Sequence, residues 1–178
     1  MKQSKTVRIL SARDIKTNLE RMARKILLQN KTFDSLGFIG IRTRGLFLAK
    51  RLSEIIKKSD GKEVPLGEMD ITLYRDDLNA LLPQGKVDHT RIPFDINNRT
   101  IILFDDVLHT GRTVRAAVDH LIDLGRPKAI HLAVLIDRGG REFPIAANFV
   151  GKKMNLPKGE VRLRLKEVDG KDEVIATR

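Results

Sequence analysis

The sequence predicts an α/β fold, in which a mainly parallel, twisted sheet is flanked by helices. Short, continuously apolar runs alternate along the chain with segments whose apolar residues recur at every third or fourth position. This alternation is typical of parallel strands that are buried on both faces and joined by crossover helices. The 178 residues are 41% apolar, so we expect one domain, residues 1–178, with a full core.

The helices are indicated by their end residues and by one apolar stripe each. The first begins near Ser11, a favoured N-cap residue, and the second and third end at Gly61 and Gly125. The third is expected over residues 112–124. Strands are expected at residues 36–41, 69–74, 101–106, 129–137, 160–168 and 172–177.

Residues 75–98 lack clean periodicity, which predicts a long loop. They include Pro83 and Gly85, and loops of this length in compact domains are typically functional or disordered. Arg75 stands at the mouth of this loop, where it can close over a bound anion.

Composition and charge limit the classes of binding partner and the cellular compartment that we expect. No apolar run approaches membrane-spanning length, no signal-peptide core follows the basic N-terminus, and cysteine is absent, so we expect a soluble cytoplasmic protein. The net charge is +11. Residues 1–30 contain eight basic and two acidic residues. This surplus fits either a polyanionic partner such as RNA or a solvated basic face, and charge alone favours neither.

Two adjacent carboxylates, Asp105 and Asp106, end an apolar strand four residues before Thr110-Gly111-Arg112-Thr113. Such a pair repels itself unless a cation or a group rich in hydroxyls lies nearby, which makes Mg²⁺ and a ribose diol natural partners. The Thr-Gly-Arg-Thr turn opens a helix, whose free N–H groups suit a phosphate. By itself that turn would indicate only a capped helix start.

A second anion loop is predicted at Arg42-Thr43-Arg44-Gly45, between a strand and a helix. Gly40 and Gly45 have the spacing of a Walker A motif. However, Leu46-Phe47 stand where Lys and Ser/Thr are needed, which excludes a P-loop NTPase. Because ligands bind beyond the carboxyl ends of parallel strands, we expect this loop, residues 105–113 and residues 137–141 to converge at one site.

The run IILFDDVLHTGRT, residues 101–113, resembles the phosphoribosyl pyrophosphate (PRPP) motif of type I phosphoribosyltransferases. Together with GIRTRG, DITLYRDDL, LGRP and LAVLIDRGGREFPI, it is similar to the PyrR family over nearly the whole chain. Members of that family are pyrimidine operon attenuation regulators and uracil phosphoribosyltransferases. The resemblance implies the type I phosphoribosyltransferase fold with a small hood, about residues 137–178, and assembly as a homodimer or higher homo-oligomer.

The resemblance also implies the ligands. The expected reaction converts uracil and PRPP to UMP and pyrophosphate with Mg²⁺, and UMP is expected to stimulate binding to an mRNA leader stem-loop. By position, Asp105 and Asp106 hold the ribose hydroxyls with Mg²⁺ nearby. Residues expected to surround the 5′-phosphate are Val107, Leu108, His109, Thr110, Gly111, Arg112 and Thr113.

Further roles follow from the same resemblance. Thr43, Arg44 and Gly45 form the pyrophosphate loop, and Arg75 belongs to a flexible loop, about residues 75–98, that covers the reacting complex. Asp137 and Arg138 begin the hood segment that reads the uracil edge. Basic residues expected to contact RNA are Arg21, Arg24, Arg141 and Lys152.

Three positions depart from the family pattern. The family has DRGHRELPIR and DDVLYTGRT, whereas this chain has Gly140, Ala146 and His109 at the His, Arg and Tyr positions. The enzymatic residues are retained, while positions near the RNA surface differ. Three alternatives therefore stay open: a salvage enzyme alone, an RNA attenuator that senses nucleotide with little catalysis, and a phosphoribosyltransferase for a purine base.

Overall fold

The structure is a computed structural model that describes residues 6–30, 33–74, 89–156 and 159–177. Its helices within these residues are α1 (Ala12–Gln29), α2 (Arg44–Asp60), α3 (Arg112–Leu124) and α4 (Lys166–Asp169). Its strands are β1 (Thr6–Leu10), β2 (Leu36–Ile41), β3 (Leu66–Met69), β4 (Thr100–Leu108), β5 (Ala129–Asp137), β6 (Phe149–Lys153), β7 (Glu160–Arg164) and β8 (Glu173–Thr177).

The main sheet has five strands in the order β3-β2-β4-β5-β6, and every neighbouring pair is parallel. This confirms the predicted fold class. The central strands β2, β4 and β5 are almost continuously buried, because helices cover both faces of a parallel sheet. The carboxyl ends of these strands all lie at the same edge of the sheet.

The helices divide between the two faces of the sheet. One core contains residues of α1 and α2 packed against Phe38, Phe104 and Phe149. The other contains residues of α3 packed against Ile39 and Leu103. Residues 101–104 of β4 belong to the two cores in turn, because alternate residues of a strand point to opposite faces.

The ends of α1 and α2 form where the sequence predicts them. The Asp14 N–H donates to the Ser11 hydroxyl at 3.3 Å, and the Ser11 N–H donates to the Asp14 carboxylate at 2.8 Å. This capping box satisfies two N–H groups that the helix leaves unpaired. Gly61 ends α2 with a φ of 69°, which a residue without a Cβ adopts at little cost.

A second sheet has three antiparallel strands in the order β1-β8-β7, and two of them, β7 and β8, lie in the predicted hood. The N-terminal strand β1 therefore joins the C-terminal strands, which the sequence analysis did not anticipate. The predicted strand 160–168 is wrong beyond Arg164. The Leu165 N–H donates to the Asp169 carboxylate at 2.9 Å, and the chain turns into α4.

The predicted strand over residues 69–74 is also wrong in its position. Strand β3 ends at Met69, and residues 72–74 form one turn of 3₁₀ helix. The Asp70 carboxylate accepts hydrogen bonds from the Thr72 N–H at 3.0 Å and from its hydroxyl at 2.6 Å. This local turn of an aspartate with the backbone two residues on ends the strand.

The described part of the predicted loop runs along the edge of the main sheet. Arg91 and Glu68 exchange backbone hydrogen bonds of 2.9 and 2.8 Å, and Ile96 is buried. Arg75 and residues 75–88 lie outside the described residues. In the part of the chain that the structure covers, no helix combines the length and apolar character needed to cross a membrane.

Candidate active site

The structure brings three predicted loops to one edge of the main sheet. Residues 42–45 follow β2, residues 105–113 end β4 and open α3, and residues 137–141 follow β5. Strand β4 lies between β2 and β5 in the sheet, so its carboxylates are flanked by the other two loops.

The loop at residues 42–45 is fixed by two close backbone approaches. A Cβ atom on Gly45 would lie 2.3 Å from the Phe104 carbonyl oxygen, and one on Gly40 would lie 2.3 Å from the Leu46 Cα. Glycine is therefore required at both positions, and the start of α2 rests on β4 immediately before Asp105. The peptide bond between Arg42 and Thr43 is cis.

The first turn of α2 offers N–H groups to an anion. Thr43 stands at the N-cap position, and no described side chain caps this helix start with a hydrogen bond. No acidic residue occupies the first turn either. The partial positive charge of the helix start and its N–H groups are the elements of an anion site.

Arg44 in this loop is held by a carboxylate from the hood. Its Nε and Nη2 atoms donate to Asp169 at 3.2 and 2.7 Å. Nearby, Arg51 binds Glu167 and Asp172 with hydrogen bonds of 2.6 to 2.8 Å. These ion pairs fasten α4 to α2. These ion pairs were not predicted, because Asp169 lies in the run EVDGKD and no local pattern there indicates an arginine partner.

The adjacent carboxylates of β4 lie in different surroundings. Asp105 is only 8% exposed, and its Oδ1 accepts the Asp106 N–H at 2.9 Å. The Asp106 Oδ1 accepts the Val107 N–H at 2.8 Å. Burial raises the pKa of Asp106, and the Val107 hydrogen bond and the positive charge of Arg44 partly oppose that increase. The chain therefore holds Asp106 ready for a cationic or hydroxyl-bearing ligand.

The pair suits Mg²⁺ held partly by other ligands. The described residues contain no group of three or more His, Cys, Asp or Glu side chains that could hold a metal ion. Two adjacent carboxylates supply hard oxygen donors, and Mg²⁺ typically completes its shell with water and substrate phosphates. The donor set therefore fits Mg²⁺ bound together with a phosphorylated ligand.

The second helix start belongs to the loop of residues 107–113. Gly111 occupies the N-cap position of α3 with a φ of 94°, and no described side chain caps this helix start in the usual way. The Arg112 N–H donates weakly to the Thr110 hydroxyl at 3.3 Å. This loop and the start of α2 are thus two similar helix starts without a usual side-chain cap, on opposite faces of the same sheet edge.

The segment after β5 donates backbone hydrogen bonds to the carbonyl groups of this loop. The Arg138 N–H donates to the Leu108 carbonyl at 3.0 Å. The N–H groups of Glu142 and Phe143 both donate to the Thr110 carbonyl, at 2.9 and 3.1 Å. The hood segment therefore sets the position of the 107–113 loop through main-chain contacts.

Two arginines predicted to bind ligands also donate to carbonyl groups in this part of the molecule. Arg141 donates to the His109 carbonyl at 2.7 Å and to the Ile145 carbonyl at 3.0 Å, and it also binds the Asp137 carboxylate. These internal contacts occupy the Arg141 guanidinium, which is 23% exposed, and its contact with RNA stays a prediction. Asp137 is likewise partly occupied by this ion pair.

Arg138 is the second case. It is 5% exposed, and its guanidinium donates to the carbonyls of Leu156 and Gly159 at 2.6 to 3.0 Å. A guanidinium in these contacts stabilises the hood segment itself. Any contact of Arg138 with a base would therefore come from its backbone, and its place at the start of the segment that reads the uracil edge stays a prediction.

His109 packs against Gly140, which explains two of the unusual positions together. A Cβ atom on Gly140 would lie 2.7 Å from the His109 Nε2 atom, and the φ of Gly140 is 75°. Burial and the charge of Arg138 lower the pKa of His109. The imidazole therefore fills the space above Gly140 in its neutral form near pH 7.

The remaining predicted RNA contacts lie on α1 and β6. Arg21 donates to the Gly151 carbonyl and, at 2.8 Å, to the Asn18 side chain. Arg24 and Lys152 are exposed. Because Arg21 touches the residue before Lys152, the structure brings these basic groups onto one surface. We call Arg21, Arg24 and Lys152 the α1 basic surface.

Comparisons with known proteins agree with this geometry. The family model described as "Phosphoribosyl transferase domain" matches residues 6–167. A relative from Thermus aquaticus named "Bifunctional protein PyrR" is 51% identical over 167 residues, covering 93% of this chain and 92% of the relative. The protein of the same name from Deinococcus radiodurans is 52% identical and covers 93% and 91%.

Solved structures share the fold at lower identity. A hypoxanthine phosphoribosyltransferase of Trypanosoma cruzi superposes with a TM-score of 0.76 at 16% identity, covering 98% of this chain and 96% of that one. The Staphylococcus aureus enzyme gives a TM-score of 0.70 at 21% identity, covering 96% and 91%. With two helix starts around a carboxylate pair and relatives of this similarity, the chain belongs to the PyrR family of phosphoribosyltransferases.

Proposed function

We propose that this chain is a uracil phosphoribosyltransferase that converts uracil and PRPP to UMP and pyrophosphate, and that it is also a UMP-dependent RNA-binding regulator of pyrimidine operons. One observation carries the enzymatic part. Two uncapped helix starts lie on opposite faces of the sheet edge that bears Asp105 and Asp106. A substrate phosphorylated at both ends matches this arrangement, and the name "Bifunctional protein PyrR" of the relatives supports it.

In this proposal each helix start receives one phosphorylated end of PRPP. The 107–113 loop takes the 5′-phosphate, and Thr43, Arg44 and Gly45 take the pyrophosphate, both through N–H groups and the helix dipole. The ribose between them lies at the Asp105–Asp106 pair. As the bond to pyrophosphate breaks, positive charge grows on the ribose ring, and the two carboxylates stabilise it.

Mg²⁺ fits the same proposal. Asp105 and Asp106 would hold it, through water, and it would neutralise charge on the departing pyrophosphate. Arg75, outside the described residues, is proposed to lie in a loop that covers the reacting complex and excludes water, which otherwise attacks the activated sugar. The segment that begins at Asp137 and Arg138 is proposed to read the uracil edge.

The enzymatic proposal is tested by offering each base in turn with PRPP and Mg²⁺. We expect nucleotide to form with uracil, and preferential use of hypoxanthine or guanine would identify a purine enzyme instead. The Asp105→Asn/Asp106→Asn double variant should lose several powers of ten in rate, since each charge-stabilising group contributes about 10²–10³. Asp119→Asn is the matched control, because Asp119 is an exposed partner of Arg115 on α3. Near wild-type turnover of the double variant would exclude this assignment.

The RNA-binding part rests on the α1 basic surface together with the family. Exposed Arg24 and Lys152 are proposed to contact phosphates of an RNA hairpin, whose unstacked loop bases are the usual target of sequence-specific readers. Each phosphate contact on a single strand contributes about −0.7 to the slope of log K against log [salt]. Arg24→Ala should reduce the slope by about one such step.

A filter-binding titration separates regulator from salvage enzyme. The cognate leader hairpin is compared with a scrambled hairpin, with and without UMP, and we expect UMP to tighten only the cognate one. Arg162→Ala is the control, since Arg162 is an exposed arginine of the hood sheet paired with Glu160. Equal affinity for both hairpins, unchanged by UMP, would leave a salvage enzyme with a basic surface.

A further inference from the structure

The guanidinium of Arg44 interacts with two carboxylates of different origin, with one by hydrogen bonds and with the other only through its charge. One is Asp169 in α4, which it binds through both Nε and Nη2 at 3.2 and 2.7 Å. The other is Asp106 in β4, whose pKa rises through burial and is partly lowered by the Arg44 charge. Arg44 therefore stands at the boundary between the reaction site and the hood.

Asp169 is fixed from its own side and cannot simply follow Arg44. Its Oδ2 accepts the Leu165 N–H at 2.9 Å. The turn that carries it is fastened to α2 by Arg51, through Glu167 and Asp172. The hydrogen bond from Arg44 lowers the pKa of Asp169, so its carboxylate is ionised at neutral pH.

We propose that Asp169 is a positioning residue that holds Arg44 until pyrophosphate replaces it, and so sets the affinity of the site for pyrophosphate-bearing ligands. A guanidinium presents two forked edges, and each edge matches one carboxylate or one phosphate, as the two carboxylate partners of Arg51 illustrate. In Arg44 the Asp169 carboxylate accepts from Nε and Nη2, which form one of these edges. A pyrophosphate group that binds this edge of Arg44 must therefore displace Asp169, and Asp169 recaptures Arg44 when pyrophosphate leaves. The inference rests on the proposed function, in which Arg44 belongs to the pyrophosphate loop.

This exchange affects the ligands of the reaction unequally. PRPP and pyrophosphate both require Arg44 to leave Asp169, whereas UMP carries only the 5′-phosphate and leaves the ion pair intact. The Arg44 and Asp169 side chains are 28% and 21% exposed, so water screens the pair and its effect is moderate. The exchange thus favours release of the leaving group without loosening the nucleotide.

The test is isothermal calorimetry of Asp169→Asn with PRPP, pyrophosphate and UMP as separate ligands. An asparagine retains an oxygen for the Leu165 N–H but removes the charge that holds Arg44. We expect PRPP and pyrophosphate to bind about threefold to fivefold more tightly, the range of a partly exposed ion pair, and UMP to be unchanged. Asp172→Asn is the matched control, because it removes the same charge from the same turn but from the partner of Arg51.

A second variant excludes a merely structural effect. In an Arg44→Ala background, Asp169→Asn should have no effect on PRPP, since the exchanged group is gone. Weaker PRPP binding by Asp169→Asn, an equal change for UMP, or the same gain in the Arg44→Ala background would overturn the inference. Failure of the wild-type protein to bind PRPP at all would overturn the proposed function itself, which separates the two results.

Discussion

The two anion loops of the sheet edge are alike in chemistry but are held in place by different means. Both open a helix without a usual side-chain cap, at Thr43 and at Gly111. The 107–113 loop is clasped by main-chain hydrogen bonds from the hood segment to the carbonyls of Leu108 and Thr110. The 42–45 loop instead rests on the close backbone approaches at Gly40 and Gly45, on one backbone hydrogen bond from the Arg42 N–H to the Met69 carbonyl, and on the ion pair between Arg44 and Asp169.

This difference matches what each loop would hold in the proposed reaction. The 5′-phosphate is common to PRPP and UMP, so a rigid clasp serves both ligands. The pyrophosphate is present in PRPP and leaves as product, so an exchangeable ion pair suits it. A site can thus retain one end of its ligand and release the other when only one of its two loops depends on a replaceable side-chain contact.

Among changes to the way the two loops are held, the largest effect is expected when a methyl group is added at the Gly45 contact. In Gly45→Ala the new Cβ would lie 2.3 Å from the Phe104 carbonyl oxygen, which belongs to backbone and cannot move away cheaply. The start of α2 must shift, and a shift of about 1 Å in a positioned group can reduce the rate by about 10²-fold. Steady-state kinetics with PRPP measures this.

Gly111→Ala is the matched change in the other loop. There the nearest contacts, at 3.3 Å, are side-chain atoms of Phe143 and Ile145, which can adjust. We expect a smaller loss, due mainly to a left-handed backbone that costs an alanine about 1–2 kcal/mol. An equal or larger loss in Gly111→Ala would contradict the difference drawn between the loops.

A tenfold effect on PRPP affinity is expected at the arginine of the 42–45 loop, and almost none at the arginine of the 107–113 loop. Arg44→Ala should weaken PRPP by about tenfold, the lower end for a lost hydrogen bond to a charged group, and should leave UMP within about twofold. Arg112 is exposed and bound to Glu142 at 2.6 Å, so Arg112→Ala should change both ligands by less than about twofold. Calorimetry with both ligands decides the matter, and equal losses for PRPP and UMP in Arg44→Ala would show a structural role.

A smaller effect, on stability, is expected where His109 meets Gly140. Gly140→Ala places a Cβ 2.7 Å from the imidazole at a φ of 75°, and such strain costs about 1–3 kcal/mol. Thermal unfolding should show a lower Tm. In a His109→Ala background the clash is relieved and only the backbone cost is left, so the loss should shrink. An undiminished loss there would show that the backbone conformation alone is responsible.

Sequence and structure agree where the signal is local. Strand β4 is visible as an apolar run, and the glycines and hydroxyl residues beside it indicate the loops. Both signals depend only on neighbouring residues in the sequence. Edge strands β1 and β6 were missed, since a strand that is buried on one side only carries no continuous apolar run. The turn at Asp70 was missed because a side-chain hydrogen bond ended a segment that otherwise has the pattern of a strand.

The sequence could not predict the direction in which a charged side chain points. Arg138, Arg141 and Arg44 are all arginines near strand ends, and each could have faced a ligand. The first turns toward a carbonyl oxygen of the hood and the second toward the His109 carbonyl in the 107–113 loop. The third meets Asp169, which lies 125 residues away in sequence. Such pairs depend on how distant segments pack, so composition and spacing cannot distinguish a ligand contact from an internal one.

The smallest effect on stability concerns Asp106, where function and stability are expected to oppose each other. Its folded pKa is raised by burial, so the charged form is disfavoured in the folded state relative to the unfolded chain. The stability that the neutral carboxyl contributes is fully present below the unfolded pKa, and it is lost as pH rises through the folded pKa. Wild-type protein therefore lacks that contribution at any pH above the folded pKa of Asp106.

Asp106→Asn tests this, because an amide is neutral at every pH and its oxygen can still accept the Val107 N–H. We expect a slightly higher Tm than wild type above the folded pKa of Asp106, with the difference shrinking as the pH falls through that pKa, while the rate of UMP formation drops. Asp119→Asn, on the exposed face of α3, should show no such gain. A Tm of Asp106→Asn equal to or below wild type above that pKa would mean that the Arg44 charge and the Val107 hydrogen bond outweigh burial. In that case the carboxylate of Asp106 would be a stabilising group, and the ion pair of Arg44 with Asp169 would be only part of what holds the 42–45 loop in place.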